Sequence, residues 1–239
     1  MADQLTRSGA HKKAGRSTFK QLRSRADNAA MWRRLLFLAA VALAYQHWTA
    51  GSYIGLEAGP ATPGDFDEAP PSLQQDPLQR PLATRPEALQ FGDYRLLPLA
   101  TVRITARVLG AERYRRGREA DLSPVDLALG WGPMSDQAVL KNIAIRQSGR
   151  FYFWSVQELP IPRRSIETHS ANMHMIPASR EVERSLRALR PGDIVRLHGY
   201  LVEVNATDGW RWRSSLTRED TGAGACELVL LQSLDQAAH

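Results

Sequence analysis

Residues Ile194–Val204 read IVRLHGYLVEV, and this stretch decides the predicted fold class. Val195 and Leu197 alternate with polar residues before Gly199, which is typical of a strand that buries one face. Beyond the glycine, the alternating apolar residues are Tyr200, Val202 and Val204. The apolar positions change parity at Gly199, so we expect a β-bulge there, one extra residue that restores the register. A long strand bent at a glycine indicates a small barrel.

Other stretches predict further strands. Residues 102–108 alternate between apolar and polar side chains, whereas 228–231 are continuously apolar, as in a central strand. Residues 143–147 and 151–154 flank Ser148-Gly149 and predict a β-hairpin.

Capping residues predict three helices. Ser123-Pro124 opens a short helix with Asp126 in its first turn, and Ser135 opens another. Ser179 opens the main helix. The sequence thus predicts an α+β fold: a small OB-like, partly closed β-barrel with one main helix and short helices, preceded by a single transmembrane helix.

An uncharged stretch, Leu35–Leu56, predicts that membrane helix. It has 22 residues, and a helix crosses the hydrocarbon core with about 20. Two alternatives stay open. The sequence Ala42-Leu43-Ala44 has the form of a signal-peptidase site, so the stretch could be a cleaved export signal, or it could be a buried helix of a soluble protein.

Charge predicts the orientation. Residues 1–34 carry nine Lys or Arg and two Asp or Glu, and the remaining residues carry 22 and 23. The positive-inside rule then predicts a cytoplasmic tail at 1–34 and a periplasmic domain at 91–239, in a bacterial inner membrane crossed once. We expect no nucleic-acid partner, because the near-neutral exported part lacks the basic surface of such proteins.

Residues 57–90 predict a linker. They contain seven prolines and no apolar run, a composition typical of extended, semi-rigid chain. Alternatively, part of this segment packs against the domain as an irregular arm.

Candidate ligand-binding residues fall in five places. The stretch His169-Ser170-Ala171-Asn172-Met173-His174 offers two imidazoles and an amide, with Asn172 and His174 on one face if the chain is extended. Its spacing is no zinc pattern, so we expect neither a metal nor a cofactor. Trp131 lies between two glycines, and Asp136 lies in a predicted helix. Trp210 and Trp212 alternate with arginines, and Ser215 belongs to a serine pair.

Cys226 is the only cysteine, so it cannot form an internal disulfide. It is a buried small residue, a reactive thiol, or half of an intermolecular bridge. As a nucleophile it would use His174 as base, helped by Asp220 or Asp136. Asp220-Thr221-Gly222-Ala223 also matches the short aspartic-protease pattern, although a glycine-rich connector between two strands explains it better.

Three segments carry a resemblance: LALGWGPMSD (127–136), HSANMHMIPA (169–178) and SSLTREDTGAGACE (214–227). Together they resemble a group of uncharacterised membrane-anchored bacterial proteins. The resemblance covers Leu122 to Leu230, implies no activity, and makes these segments the places to look for a site.

The function expected from these features is a membrane-anchored periplasmic binding or scaffolding protein of unknown ligand. It would contact membrane lipid through residues 35–56 and bind an envelope protein or cell-wall partner. The alternative is a periplasmic hydrolase or thiol enzyme that uses Cys226 and His174.

Overall fold

The computed structural model describes residues 31–43, 68–82, 84, 86–217 and 226–237. The chain divides into two units, Met1–Gly51 and Ser52–His239. In the first unit, helix α1 spans residues 31–43 and exposes its apolar side chains. None of the helices within the described ranges is both long enough and apolar enough to cross a membrane. Residues 44–56 of the predicted anchor lie outside those ranges.

The second unit is a mixed α+β structure made mostly of strands. Eight strands form one sheet, and two more form a separate hairpin sheet. In chain order the strands are β1 Leu78–Pro81, β2 Leu89–Phe91, β3 Tyr94–Arg113, β4 Val125–Gly130, β5 Ala144–Ser148, β6 Phe151–Ser155, β7 Ser170–Pro177, β8 Ile194–Ala206, β9 Arg211–Arg213 and β10 Glu227–Gln236.

Part of the large sheet forms a ring. Along it, β3 pairs with β4, β4 with β7, β7 with β10 and β10 with β8, and β8 pairs in turn with β3. Only the β7–β10 pair is parallel among these. Alternate residues of the five strands face inward and build the main core, which includes Ile104, Leu127, Met175, Leu197 and Val229.

A second apolar layer covers much of the outer surface of the ring. It contains Tyr200, Val202 and Val204 of β8, with Trp210 and Trp212 packed against it. The parity change in the sequence therefore marks the point where β8 becomes buried on both faces. The predicted bulge at Gly199 is wrong, because Leu197 and Leu201 both join the inner core without a register shift in β8.

The bulge lies in the partner strand instead. Leu231 of β10 is opposite Gly199 and Ser233 is opposite His198, so Gln232 is the extra residue. A β-carbon at Gly199 would overlap the carbonyl oxygen of Leu230 and lie 3.1 Å from the Cα of Leu231. The glycine thus lets two backbones approach where β10 bends.

The helix predicted after Ser123-Pro124 is wrong. Residues Val125–Gly130 are strand β4, and every one of them is buried. Burial in the tertiary structure overrides the local capping signals, because a strand in the ring buries its apolar residues on both faces.

The other local predictions are closer to the structure. The hairpin around Ser148-Gly149 is confirmed as β5 and β6. Ser179 caps the main helix, accepting a hydrogen bond from the Val182 amide, and Asp136 rather than Ser135 caps the short helix. The helices are α2 Arg118–Leu122, α3 Gln137–Leu140, α4 Arg163–Thr168 and α5 Arg180–Ala188, with a 3₁₀ turn at Gly132–Ser135.

Part of the proline-rich segment packs on the domain as an arm. Strand β1 pairs with β3, and the carbonyl of Leu73 accepts a hydrogen bond from Gly132. Asp76 accepts one from the indole of Trp131 at 3.0 Å. These contacts hold the arm, residues 71–81, against the chain that follows β4.

We expect Gly199→Ala to destabilise the unit by about 3 kcal/mol, because an added methyl meets backbone that cannot turn aside. Gly209→Ala is the matched control. It has a positive φ of 88° but nothing within 4 Å, so it should cost only about 1–2 kcal/mol. Urea unfolding of the full chain measures both, and equal losses would contradict the close approach.

Candidate functional site

A charged cluster lies on the outer face of β4 and β7, with Asp126 at its centre. The Asp126 side chain is fully buried and accepts a hydrogen bond from Arg150 Nη1 at 2.6 Å on Oδ1. His174 Nδ1 lies 2.9 Å from the same oxygen, and the imidazole is 2% exposed. A buried carboxylate of this kind is stable only because a guanidinium pairs with it.

Strand register brings these groups together. Asp126 of β4 is opposite His174 of β7, and Ala128 is opposite Asn172, so the imidazole and the amide share a face. Arg150 comes from the turn of the β5–β6 hairpin, where it has a positive φ of 72°. That backbone conformation is uncommon for a residue with a side chain and is found mostly where surrounding contacts enforce it.

Amide groups hold the hairpin against the ring. Gln147 Nε2 donates to Asn172 Oδ1 at 2.7 Å, and Asn172 Nδ2 donates to the Arg150 carbonyl at 3.1 Å. The Arg150 carbonyl and guanidinium are therefore both fixed, one by an amide and one by Asp126. This rigidity is what a preorganised binding group requires.

Aromatic rings surround the guanidinium. Arg150 Cζ lies 3.7 Å from the ring centre of Tyr114 and 5.7 Å from that of Trp212. Trp212 also contacts the His174 ring, with centroids 4.9 Å apart, and Trp210 at 6.0 Å. Stacking of this kind adds to the ion pair. Burial, together with the Asp126 carboxylate, raises the pKa of Tyr114, which keeps its hydroxyl neutral.

Two buried polar atoms of the cluster lack a well-formed hydrogen bond to any described residue. They are Asp126 Oδ2 and His174 Nδ1, whose approach to Oδ1 is close but poorly aligned. An unsatisfied buried acceptor costs about 1–3 kcal/mol. The cluster therefore has unused capacity to accept a hydrogen bond at Asp126 Oδ2.

The thiol of Cys226 lies near this cluster but is not activated. Burial raises its pKa, and the carboxylates of Glu227 and Asp126 raise it further. A nucleophilic cysteine needs the opposite, a lowered pKa. Cys226 directly precedes β10, whose first residues Glu227 and Leu228 lie opposite Met173 and His174 of β7.

A second buried carboxylate has a structural arrangement. Glu203 is 6% exposed and accepts hydrogen bonds from Arg213, Asn205 and Arg211, the last at 3.0 Å. Burial alone raises the pKa of Glu203, but these hydrogen bonds outweigh it and hold the pKa below its ordinary value. All its partners lie on β8 or β9, so this group ties the edge strand to the sheet.

The structure separates the predicted site residues. Asn172, His174 and Trp212 meet in the cluster, and Trp210 adjoins it. Ser215 is buried in the loop after β9 and donates to the Thr217 carbonyl.

Four other candidates lie elsewhere. Trp131 is 1% exposed and packs in the inner core, and Asp136 caps α3. His169 bonds to the Ser165 carbonyl, and Ser170 bonds to the Ile166 carbonyl and to Tyr152. Asp220 lies outside the described residues. Across the described ranges, no three His, Cys, Asp or Glu side chains are grouped so as to hold a metal ion.

Sequence reasoning missed the two central residues, Asp126 and Arg150. The capping signal favours a helix around Asp126. The alternation of Asp126 with the apolar Val125 and Leu127 is, however, equally typical of a strand that has Asp126 on one face and the apolar residues on the other. No pattern singles out Arg150, because its partner is 24 residues away in sequence.

Comparison with known proteins finds no matching family model, no matching curated protein and no matching solved structure. The function is therefore argued from the residues of this chain.

We expect Arg150→Gln to destabilise the domain by about 3–5 kcal/mol, since it leaves the Asp126 carboxylate buried and unpaired. Arg146→Gln is the matched control on the same hairpin, exposed and away from the cluster, and should change stability by less than about 0.5 kcal/mol. Adding Asp126→Asn to Arg150→Gln should recover part of the loss. Denaturant unfolding measures all three, and equal effects of the two arginine variants would contradict the pairing.

Alkylation of Cys226 should be slow at neutral pH and should follow an apparent pKa above the ordinary value of a free thiol, because burial and two carboxylates disfavour the thiolate. The measurement is the labelling rate against pH on the folded full chain. An exposed thiol, Ser148→Cys in a Cys226→Ala background, gives the reference rate. An apparent pKa for Cys226 below that of the reference would contradict this expectation.

Proposed function

We propose that residues 91–239 form an OB-like domain. The strand order supports this. In chain order the ring strands are the first (β3), second (β4), third (β7), fourth (β8) and fifth (β10). Around the ring, the first strand pairs with the second, the second with the third, the third with the fifth, the fifth with the fourth, and the fourth with the first. The parallel pair is third with fifth, and α5 lies between third and fourth. OB-folds are five-stranded, partly open barrels that bind ligands on the second and third strands.

We propose further that the domain is periplasmic and anchored by Leu35–Leu56. The support is the uncharged length of that stretch and the nine basic residues that precede it. The described part, residues 31–43, is helical with exposed apolar side chains such as Leu36 and Phe37. Those side chains would contact lipid in an anchored protein.

The proposed activity is binding, as a binding or scaffolding module for an envelope protein or a cell-wall component rather than for nucleic acid. One observation carries it: a preorganised charged cluster on the outer side of β4 and β7, in which the buried Asp126 Oδ2 accepts no hydrogen bond from any described residue. The loop at 114–117 and strand β9 flank that face and bring Tyr114 and Trp212 to it. A rigid polar group framed by aromatic rings is a usual composition of ligand sites.

A thiol enzyme or hydrolase is the second candidate. The observation that favours it is the place of Cys226 directly before β10, where Leu228 lies opposite His174 of β7. In that mechanism His174 would take the thiol proton as the sulfur attacks an acyl carbon, and it would return this proton to the leaving group as the bond between that group and the carbon breaks. The raised pKa of Cys226 argues for the binding module instead.

A photo-crosslinking amino acid in place of Trp212, in the living cell, tests the binding proposal. We expect one discrete adduct with an envelope component, and none from the same group at exposed Arg196 on β8. The adduct should survive Cys226→Ala and disappear with Arg150→Gln. Asn172→Ala, a less disruptive change in the same cluster, should weaken the adduct. Loss of the adduct on Cys226→Ala alone would favour the enzyme.

Topology is measured separately with a reporter enzyme that is active only outside the cytoplasm, fused after His239. Activity is the expected result, because the basic tail stays inside. An inactive reporter with an adduct present would remove the periplasmic assignment while keeping the binding site.

A further inference from the structure

The β5–β6 hairpin has one face against the domain and one face exposed. Ile145, Gln147, Tyr152 and Trp154 point inward and are partly buried. The opposite side chains are exposed, and we call them the hairpin face: Ala144, Arg146, Ser148, Phe151, Phe153 and Ser155.

Two large aromatic side chains on this face are open to solvent. Phe151 is 44% exposed and Phe153 is 47% exposed. Their rings lie 6.4 Å apart, and Arg146 Cζ lies 6.0 Å from the ring centre of Phe153. Exposed phenylalanines in a small strand pair reduce solubility, so two of them side by side next to a cation indicate a surface that is covered by a partner.

The charge of this region differs from that of the rest of the domain. Residues 137–168 carry five Lys or Arg and two Asp or Glu, whereas the other residues of the domain, 91–136 and 169–239, carry 15 of each. The hairpin face itself has Arg146 and no acidic residue. In this region Arg150 pairs with Asp126 and Arg163 with Glu167, while Lys141 and Glu158 are exposed at the hairpin base. The excess charge would attract an anionic surface.

The arm, which follows the proposed anchor in sequence, is bonded to the segment that precedes this hairpin. The arm is bonded at Leu73, Gln74 and Asp76 to residues of 131–135. Residues 131–135 lead through α3 directly into β5. The 16 residues between Leu56 and Leu73 can reach about 55 Å when extended, so the tether permits the hairpin to approach the bilayer.

We propose that the hairpin face docks on the bilayer that carries the anchor, with Phe151 and Phe153 in the headgroup region and Arg146 on lipid phosphates. The proposal rests on the proposed anchor. Aromatic rings prefer the interface between headgroups and acyl chains, and a basic side chain near an anionic surface adds about 1 kcal/mol. Docking would hold the Asp126 cluster at a set distance from the membrane.

The test uses the full chain in lipid nanodiscs made of phosphatidylcholine alone or mixed with phosphatidylglycerol. An environment-sensitive dye is attached to Ser148→Cys in a Cys226→Ala background, and a spin-labelled lipid serves as quencher. We expect quenching that is stronger in the anionic discs. The same dye on Arg196→Cys is the position control and should not be quenched.

Variants of exposed residues test the contacts without disturbing the core. Phe151→Ser with Phe153→Ser should abolish the quenching. Arg146→Gln should lower the docked-to-free ratio about fivefold in anionic discs, and Arg196→Gln, the matched charge control, should leave it unchanged. Quenching absent at position 148, or unaffected by the phenylalanine changes, would overturn the proposal.

The anchor is scored on its own by whether the chain stays with the discs after an alkaline wash. If the wash removes the chain, the proposed anchor is refuted. Flotation of the full chain with vesicles of the same two lipid mixtures then tests whether the hairpin face binds the bilayer. Flotation that depends on Phe151 and Phe153 would support the hairpin face, and its absence would overturn it.

Discussion

The backbones of β8 and β10 are in contact at Gly199, and the rest of the ring depends on that contact. A side chain there would overlap the Leu230 carbonyl, so the two strands could not pair at this point. The bulge at Gln232 bends β10 opposite the glycine. Because β8 also pairs with β3 along 13 positions, its fit against β10 allows the sheet to return on itself and enclose the core.

The ring has a consequence for its outer surface. Beyond Gly199, β8 is covered inside by the main core and outside by a second apolar layer. That outer layer ends at Trp212, which contacts His174 on the far side. The charged cluster thus lies at the margin of an apolar layer, where a partly dry environment strengthens the Asp126–Arg150 pair and raises the cost of leaving either group alone.

The hairpin connects two surfaces of the domain. Its inner face supplies Gln147 and Arg150 to the cluster, and its outer face presents Phe151 and Phe153. Since both faces belong to the same pair of five-residue strands, any contact on the outer face bears on the position of Arg150. The arm at 71–81 is bonded at Leu73 to Gly132, in the segment that leads through α3 into the hairpin.

Structural features that depend only on residues close together in the chain could be predicted from the sequence alone. The hairpin, the Ser179 cap and the alternation in β3 follow from turn chemistry, capping and period, and each is found. The common face of Asn172 and His174 also followed from strand geometry alone. Only the tertiary structure decided that Val125–Gly130 is a strand and that β8 is buried on both faces, because burial by distant strands overrode the local cap signal. It also decided the site, since Asp126 and Arg150 meet through strand register and a hairpin turn, and no local pattern encodes a contact between residues so far apart.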